Sequence, residues 1–167
     1  FLTFNAAMGV LFTMKALIII IMDGVGNMIG ALVAGLILGV AETAVARLIA
    51  DLPRLDALVN CAGISRRGAE HEMPVFEDVL AINLTGSMRT ATLARAKLKA
   101  TGGCIVNTAS VLSFFGGGLV PGYAASKGGI VQITKAMATA WAKDNIQVNA
   151  ILPGWIDTAL TQRARRD

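Results

Sequence analysis

Three short apolar runs, Leu55 to Asn60, Cys104 to Ala109 and Ile146 to Leu152, are separated by longer stretches with helical periodicity, and this alternation leaves few folds open. Apolar residues that follow one another without a polar partner face suit strands buried on both sides, as in a parallel sheet. A fourth run, Leu17 to Met22, is β-branched and ends in Asp23-Gly24-Val25-Gly26, a strand entering a turn. Helices are predicted at Met28 to Leu38, at Glu42 to Leu52, at Pro74 to Ala100, and from Pro121 to about Lys143. Pro53, Gly102-Gly103 and Pro153-Gly154 supply the stops, and Pro121 sits where a first helical residue favours proline. Strand, helix and strand in this order build parallel βαβ units, with ligands expected beyond the carboxyl ends of the strands. The expected class is a doubly wound α/β fold.

The chain of 167 residues is the size of one domain, and an apolar fraction of 54% is ample for a core. A net charge of +4 is thinly spread apart from Arg66-Arg67 and the terminal Arg163, Arg165 and Arg166, so these read as solvated groups and no nucleic-acid partner is expected. Cys61 and Cys104 have no companions for a metal site and read as buried free thiols. A single histidine, His71, gives no basis for a histidine-held zinc or a Ser-His-Asp triad. The apolar stretch Ala16 to Val40 raises the question of a membrane span. Asp23 and Asn27 fall near its middle, and a central aspartate costs about 2.5 to 3.5 kcal/mol, so no span is expected. Nor is a signal peptide, because Lys15 follows an apolar stretch instead of leading one. With two cysteines and no secretory features, a cytoplasmic setting follows.

The only tyrosine, Tyr123, stands four residues before Lys127 and thirteen after Ser110. On a helix, positions i and i+4 share a face, so the Lys127 ammonium is expected to approach the phenol and to lower a pKa that is ordinarily about 10. A tyrosine tuned in this way serves as an acid or base near neutral pH.

Five motifs agree in order and spacing: Asn60-Cys61-Ala62-Gly63 after a strand, Asn83 in Ile-Asn-Leu-Thr-Gly, Ser110 after Ile-Val-Asn-Thr-Ala, Tyr123 with Lys127, and Pro153-Gly154 in Asn-Ala-Ile-Leu-Pro-Gly. From Leu55 to about Thr161 the chain resembles the short-chain dehydrogenase/reductase family, in particular its sugar, polyol and 3-oxoacyl members. The resemblance implies a Rossmann-like sheet, NAD or NADP as cofactor, and interconversion of a secondary alcohol and a ketone. It makes Tyr123 the proton donor or acceptor and places Ser110 on the same substrate oxygen. Lys127 lowers the Tyr123 pKa and holds the nicotinamide ribose, while Asn83 kinks its helix and positions a water leading to Lys127. Asn60, Ala62 and Gly63 form a turn against the cofactor, and Pro153, Gly154, Ile156 and Thr158 pack around the nicotinamide. Phe114, Phe115, Leu119 and Trp155 fall near the substrate. Gly116-Gly117-Gly118 reads as loop mobility.

The first half departs from that pattern. Asp23-Gly24-Val25-Gly26-Asn27-Met28-Ile29-Gly30 is the best match to the family's Thr-Gly-x-x-x-Gly-x-Gly, with Gly24 and Gly30 as cofactor contacts but Met28 where a glycine belongs. A reduced sheet is expected, lacking the second strand region and the last strand. Residues 1–14 form an unassigned extension, 15–54 a degenerate cofactor half and 55–161 the catalytic core of a single domain. An alternative function stands open: a catalytically silent remnant acting as a binding or assembly module. Met14 to Gly24 also resembles the opening strand of alkaline-phosphatase-like phosphomutases, but the remaining ligands of a dimetal site are missing, so no metal is expected. The long helices near Asn83–Lys99 and Tyr123–Lys143 imply a homodimer, a tetramer needing a second interface.

Overall fold

The computed structural model describes residues 43–156. The chain divides into two units, Phe1–Leu52 and Pro53–Asp167. In the first, residues 43–51 are helical and Leu52 N donates to Leu48 O at 3.2 Å, matching the helix expected at Glu42 to Leu52. The expected strand Leu17–Met22, the helix Met28–Leu38 and the Ala16–Val40 stretch lie outside the described residues.

Among the described residues, the second unit is a three-stranded parallel sheet with helices between its strands. Strand β1 (Ala57–Asn60) is followed by helix α1 (Met73–Leu80), a π-helical turn (Ala81–Thr85) and helix α2 (Gly86–Thr101). Strand β2 (Cys104–Thr108), a 3-10 turn (Val111–Ser113), helix α3 (Pro121–Trp141), a second 3-10 turn (Ala142–Asp144) and strand β3 (Gln147–Ile151) complete it. The sheet order is β1-β2-β3, with Asn60 opposite Asn107 and Thr108 opposite Ile151. This is the α/β, Rossmann-like arrangement expected, and each strand is one or two residues shorter than its apolar run.

The predicted Pro74–Ala100 helix has a finer structure than its apolar residues suggested. α1, the π turn and α2 run on with right-handed backbone at both joins. The wide turn shifts the helical phase, so the buried face is Val79, Asn83, Ser87, Ala91, Ala94 and Leu98, and Leu93 is exposed. Gly102 closes α2 in the left-handed region at φ 63°, and Gly103 N donates back to Leu98 O at 2.9 Å.

One face of the sheet is tied to α2 and α3 by a chain of buried hydrogen bonds. Thr90 Oγ1 donates to Asn60 Oδ1 (2.8 Å), Asn60 Nδ2 to Asn107 Oδ1 (2.9 Å), and Asn107 Nδ2 to Thr134 Oγ1 (2.9 Å). Each such bond contributes about 1 kcal/mol net, but leaving one partner unmet inside would cost more, so the network fixes register as well as packing. Ile105, Val148 and Leu98 fill the core beside it. At the carboxyl end Ala109, Ile130 and Val131 cluster with Leu84, Ala150 and Leu152.

Candidate active site

The three strands end together at Asn60, Thr108 and Ile151, and the segments leaving them form one edge. Ala109 N donates to Ile151 O (2.8 Å) and Val111 N to Pro153 O (3.2 Å), which binds the turn after β2 to the turn after β3. The Asn60 side chain points inward to Thr90, Asn107 and the Ser87 carbonyl. It is a structural group. Cys61 lies past the end of β1 and is exposed, and Cys104 is only half-buried. The expectation that both thiols are buried is therefore wrong. The strand stops one residue short of Cys61, where Thr108 Oγ1 donates to its sulfur at 3.5 Å.

Asn83 is 1% exposed and occupies the middle of the π turn. Its Nδ2 donates to Ile64 O (2.9 Å) and to Ser126 Oγ (3.0 Å), and its Oδ1 accepts from Ile64 N (2.8 Å). These bonds join the loop after β1 to α3 and give the wide turn its reason: the extra residue carries the amide inward. Both amide hydrogens are thus occupied, leaving an oxygen lone pair as its remaining capacity. A side chain starting at Gly63 would place its Cβ 3.4 Å from both Asn83 Oδ1 and Lys127 Nζ, so glycine keeps open the space these two atoms share.

Ser110, Tyr123 and Lys127 come together here. Ser110 is the N-cap of the Val111–Ser113 turn, with Leu112 N donating to its Oγ at 3.2 Å. Ser113 Oγ accepts from Ser110 N (3.2 Å) and donates to Lys127 O (2.8 Å), locking this turn to α3. The Ser110 side chain acts on the Tyr123 phenol in the direction that favours its ionised form. Lys127 is buried; its Nζ donates to Thr108 O at 2.6 Å and stands 5.6 Å from the centre of the Tyr123 ring.

The electrostatics depart from the sequence expectation. Burial raises the Tyr123 pKa above 10; the Ser110 side chain opposes this, and the Glu70 carboxylate adds to it. Lys127 was expected to lower that pKa, but the net shift is upward because burial of the phenol outweighs what lowers it. Burial also brings Lys127 itself down to about 8, with Cys61 acting in the opposite direction.

Of the remaining expected site residues, Pro153, Gly154 and Ile156 lie on the turn after β3, with Ile156 N donating to Gly154 O at 3.1 Å. Phe114, Phe115, Leu119 and Trp155 are exposed. Gly24, Gly30 and Thr158 lie outside the described residues. Sequence reasoning missed Ser126, Ser113 and Glu70. Ser126 and Ser113 carry no signal apart from helix and turn chemistry. Glu70 is fully buried, with Oε2 accepting from Tyr123 N at 2.7 Å. One sequence sign was present: Val120-Pro121-Gly122 opens a helix with no capping side chain of its own.

The short chain dehydrogenase family matches residues 39–167. The chain belongs to this family. It is 42% identical over 125 residues to 2-dehydro-3-deoxy-D-gluconate 5-dehydrogenase of Escherichia coli K12, covering 72% of this chain and 49% of that protein. To the 5-keto-D-gluconate 5-reductase of the same strain it is 36% identical over 129 residues, covering 75% and 51%. A solved gluconate 5-dehydrogenase from Burkholderia cenocepacia J2315, in complex with NADP and tartrate, superposes with a TM-score of 0.69 at 32% identity over 75% of this chain and 51% of that one. The chain thus spans about half the length of the short-chain dehydrogenases it matches. Among the described residues no helix is long and apolar enough to cross a membrane, and no cluster of His, Cys, Asp and Glu could hold a metal.

Proposed function

We propose that this chain is an NAD(P)-dependent oxidoreductase interconverting a secondary alcohol and a ketone, with a sugar acid or polyol as substrate. The observation that carries the reading is the convergence of Ser110, Tyr123 and Lys127 at the carboxyl edge of the sheet. Kinship to dehydrogenases and reductases of gluconate derivatives supports the substrate class.

The residues fit a dinucleotide on one physical ground. Among the described residues the Lys127 ammonium has a single acceptor, Thr108 O, leaving donors for a ribose diol, and Gly63 keeps the space beside it clear. When bound, the nicotinamide supplies the acceptor or donor of a hydride. In the oxidative direction Tyr123 Oη, as phenolate, takes the proton of the substrate hydroxyl, and Ser110 Oγ hydrogen-bonds the same oxygen as it becomes a carbonyl. In the reductive direction Tyr123 gives that proton back. Lys127 holds the ribose, and the free lone pair of Asn83 Oδ1 accepts from a water beside Lys127. Backbone at Ala62 and Gly63, with Pro153, Gly154 and Ile156, packs around the cofactor. The chain pairs as a homodimer through α2 and α3 and works in the cytoplasm.

A silent remnant serving as a binding or assembly module is the competing reading, favoured by the raised Tyr123 pKa. Titration with NADH and NADPH, followed by fluorescence, separates the two. Binding, with turnover that Tyr123→Phe abolishes while leaving cofactor affinity intact, is the expected outcome. Absence of binding by either nucleotide removes the enzyme.

A further inference from the structure

We infer that Glu70 is a positioning residue for Tyr123: from the loop between β1 and α1, its buried carboxylate grips the first turn of α3 at the tyrosine's own backbone N–H. The inference deepens the reading of Tyr123 as the proton donor and acceptor and rests on it.

The geometry is that of a cap supplied from elsewhere in the chain. α3 begins Val120-Pro121-Gly122-Tyr123, where the N-cap valine has no side-chain acceptor and the proline has no N–H. The first turn of a helix still leaves backbone donors without partners, and its positive end favours an anion. Glu70 Oε2 accepts from Tyr123 N at 2.7 Å. Glu70 Oε1 is held from its own side by Arg66 N (2.7 Å) and Ser65 Oγ (3.1 Å). All three partners are donors, which is what an acceptor-only carboxylate requires. Gly122 makes the approach feasible, since a Cβ there would come within 3.3 Å of Glu70 Oε2 and 3.2 Å of Phe76 Cδ2.

Two consequences reach the phenol. The bond fixes where the Tyr123 Cα stands relative to Ser110, which is held independently on the β2 side by its own turn. The carboxylate also acts through space against ionisation of the phenol. The groups facing Tyr123 among the described residues are then complete in sign. Ser110, from the turn after β2, favours the phenolate, and Glu70, from the loop after β1, opposes it. The Lys127 ammonium stands one turn further along α3, with Cys61 acting on it from the end of β1.

Tyr123 is the only tyrosine, so both consequences can be read without any turnover. The full chain is labelled with 15N- and ring-13C-tyrosine, and the single amide and single ring signal are followed in wild type, Glu70→Gln and Glu70→Ala. Glu70→Gln removes charge but keeps an oxygen acceptor. Its phenol is expected to titrate at lower pH than in wild type, with the Tyr123 amide still protected from exchange. Glu70→Ala loses the acceptor, and the amide is expected to exchange at least about tenfold faster at neutral pH. If Glu70→Ala fails to fold, Glu70→Gln alone decides. An unchanged phenol midpoint in folded Glu70→Gln, or unchanged amide exchange in folded Glu70→Ala, overturns the inference. A chain that binds no nucleotide would sink the proposed oxidoreductase and leave both signals readable. In an active chain, Glu70→Gln is expected to move the pH profile of kcat while leaving the cofactor KM in place, a split that loss of folding alone would not produce.

Discussion

Replacing Lys127 by methionine is expected to stabilise the ligand-free chain at neutral pH while ending its chemistry. Lys127 is 4% exposed, and among the described residues its one acceptor is an uncharged carbonyl, Thr108 O at 2.6 Å. Burial brings its pKa from 10.5 down to about 8. The unfolded chain therefore holds this proton over a range in which the folded chain has released it, so stability rises with pH between about 8 and 10.5. The gap of two and a half pH units, at about 1.4 kcal/mol each, caps the cost of the buried ammonium at about 3.5 kcal/mol. Between pH 7 and about pH 9.5 the linkage gives a gain of about 2 kcal/mol. Methionine has a similar reach and no charge, but it gives up the bond to Thr108 O, worth about 1.5 to 3 kcal/mol for a charged donor. At pH 7 the net expectation is thus a gain of about 1 kcal/mol, and the rise with pH should vanish. Urea unfolding at pH 7 and pH 9.5, read by the fluorescence of Trp141 and Trp155, measures both. A methionine variant that kept the same rise in stability with pH would show that Lys127 is not the titrating group. One that was also less stable at neutral pH would refute the cost assigned to its burial.

Asp144 offers the opposite sign. Lys99 (2.8 Å) and Arg95 (2.6 Å), both on α2, hold its carboxyl below the usual range, Lys99 most strongly. A depressed acid contributes stability that is present above its unfolded pKa of 3.8 and lost as pH falls through the folded value. Asp144→Asn should therefore be less stable than wild type at neutral pH and converge with it in acid. A difference that stays constant from neutral pH down to pH 2 would sink this account. Light scattering tests the pairing proposed through α2 and α3: a dimer at micromolar concentration is expected, and a monomer removes it.

The alternation of apolar runs and helical stretches was enough to place β1, β2, β3 and α3 to within a few residues. Strand burial and helix stops such as Gly102 and Pro121 act locally, and local rules are written in consecutive residues. The ordered motifs likewise named Asn83, Ser110, Tyr123 and Lys127, and folding does bring the last three to one edge. What neither pattern carried was the direction of each polar group once inside. Asn60 belongs to the turn expected against a cofactor, and only the fold shows that its side chain faces the core, bonded to Asn107.

The sequence by itself determined the parallel α/β order, the family and the candidates for the reacting groups, because spacing along strand and helix dictates which side chains can share a face. The tertiary structure alone decided their electrostatic state. Burial leaves Tyr123 above its ordinary pKa and Lys127 below its own. The tertiary fold also brought in Glu70, fifty-three residues from Tyr123 along the chain, to cap a helix that has no cap of its own. A pKa and a long-range hydrogen bond depend on which groups exclude water together, and that is settled only when separate segments close on one another.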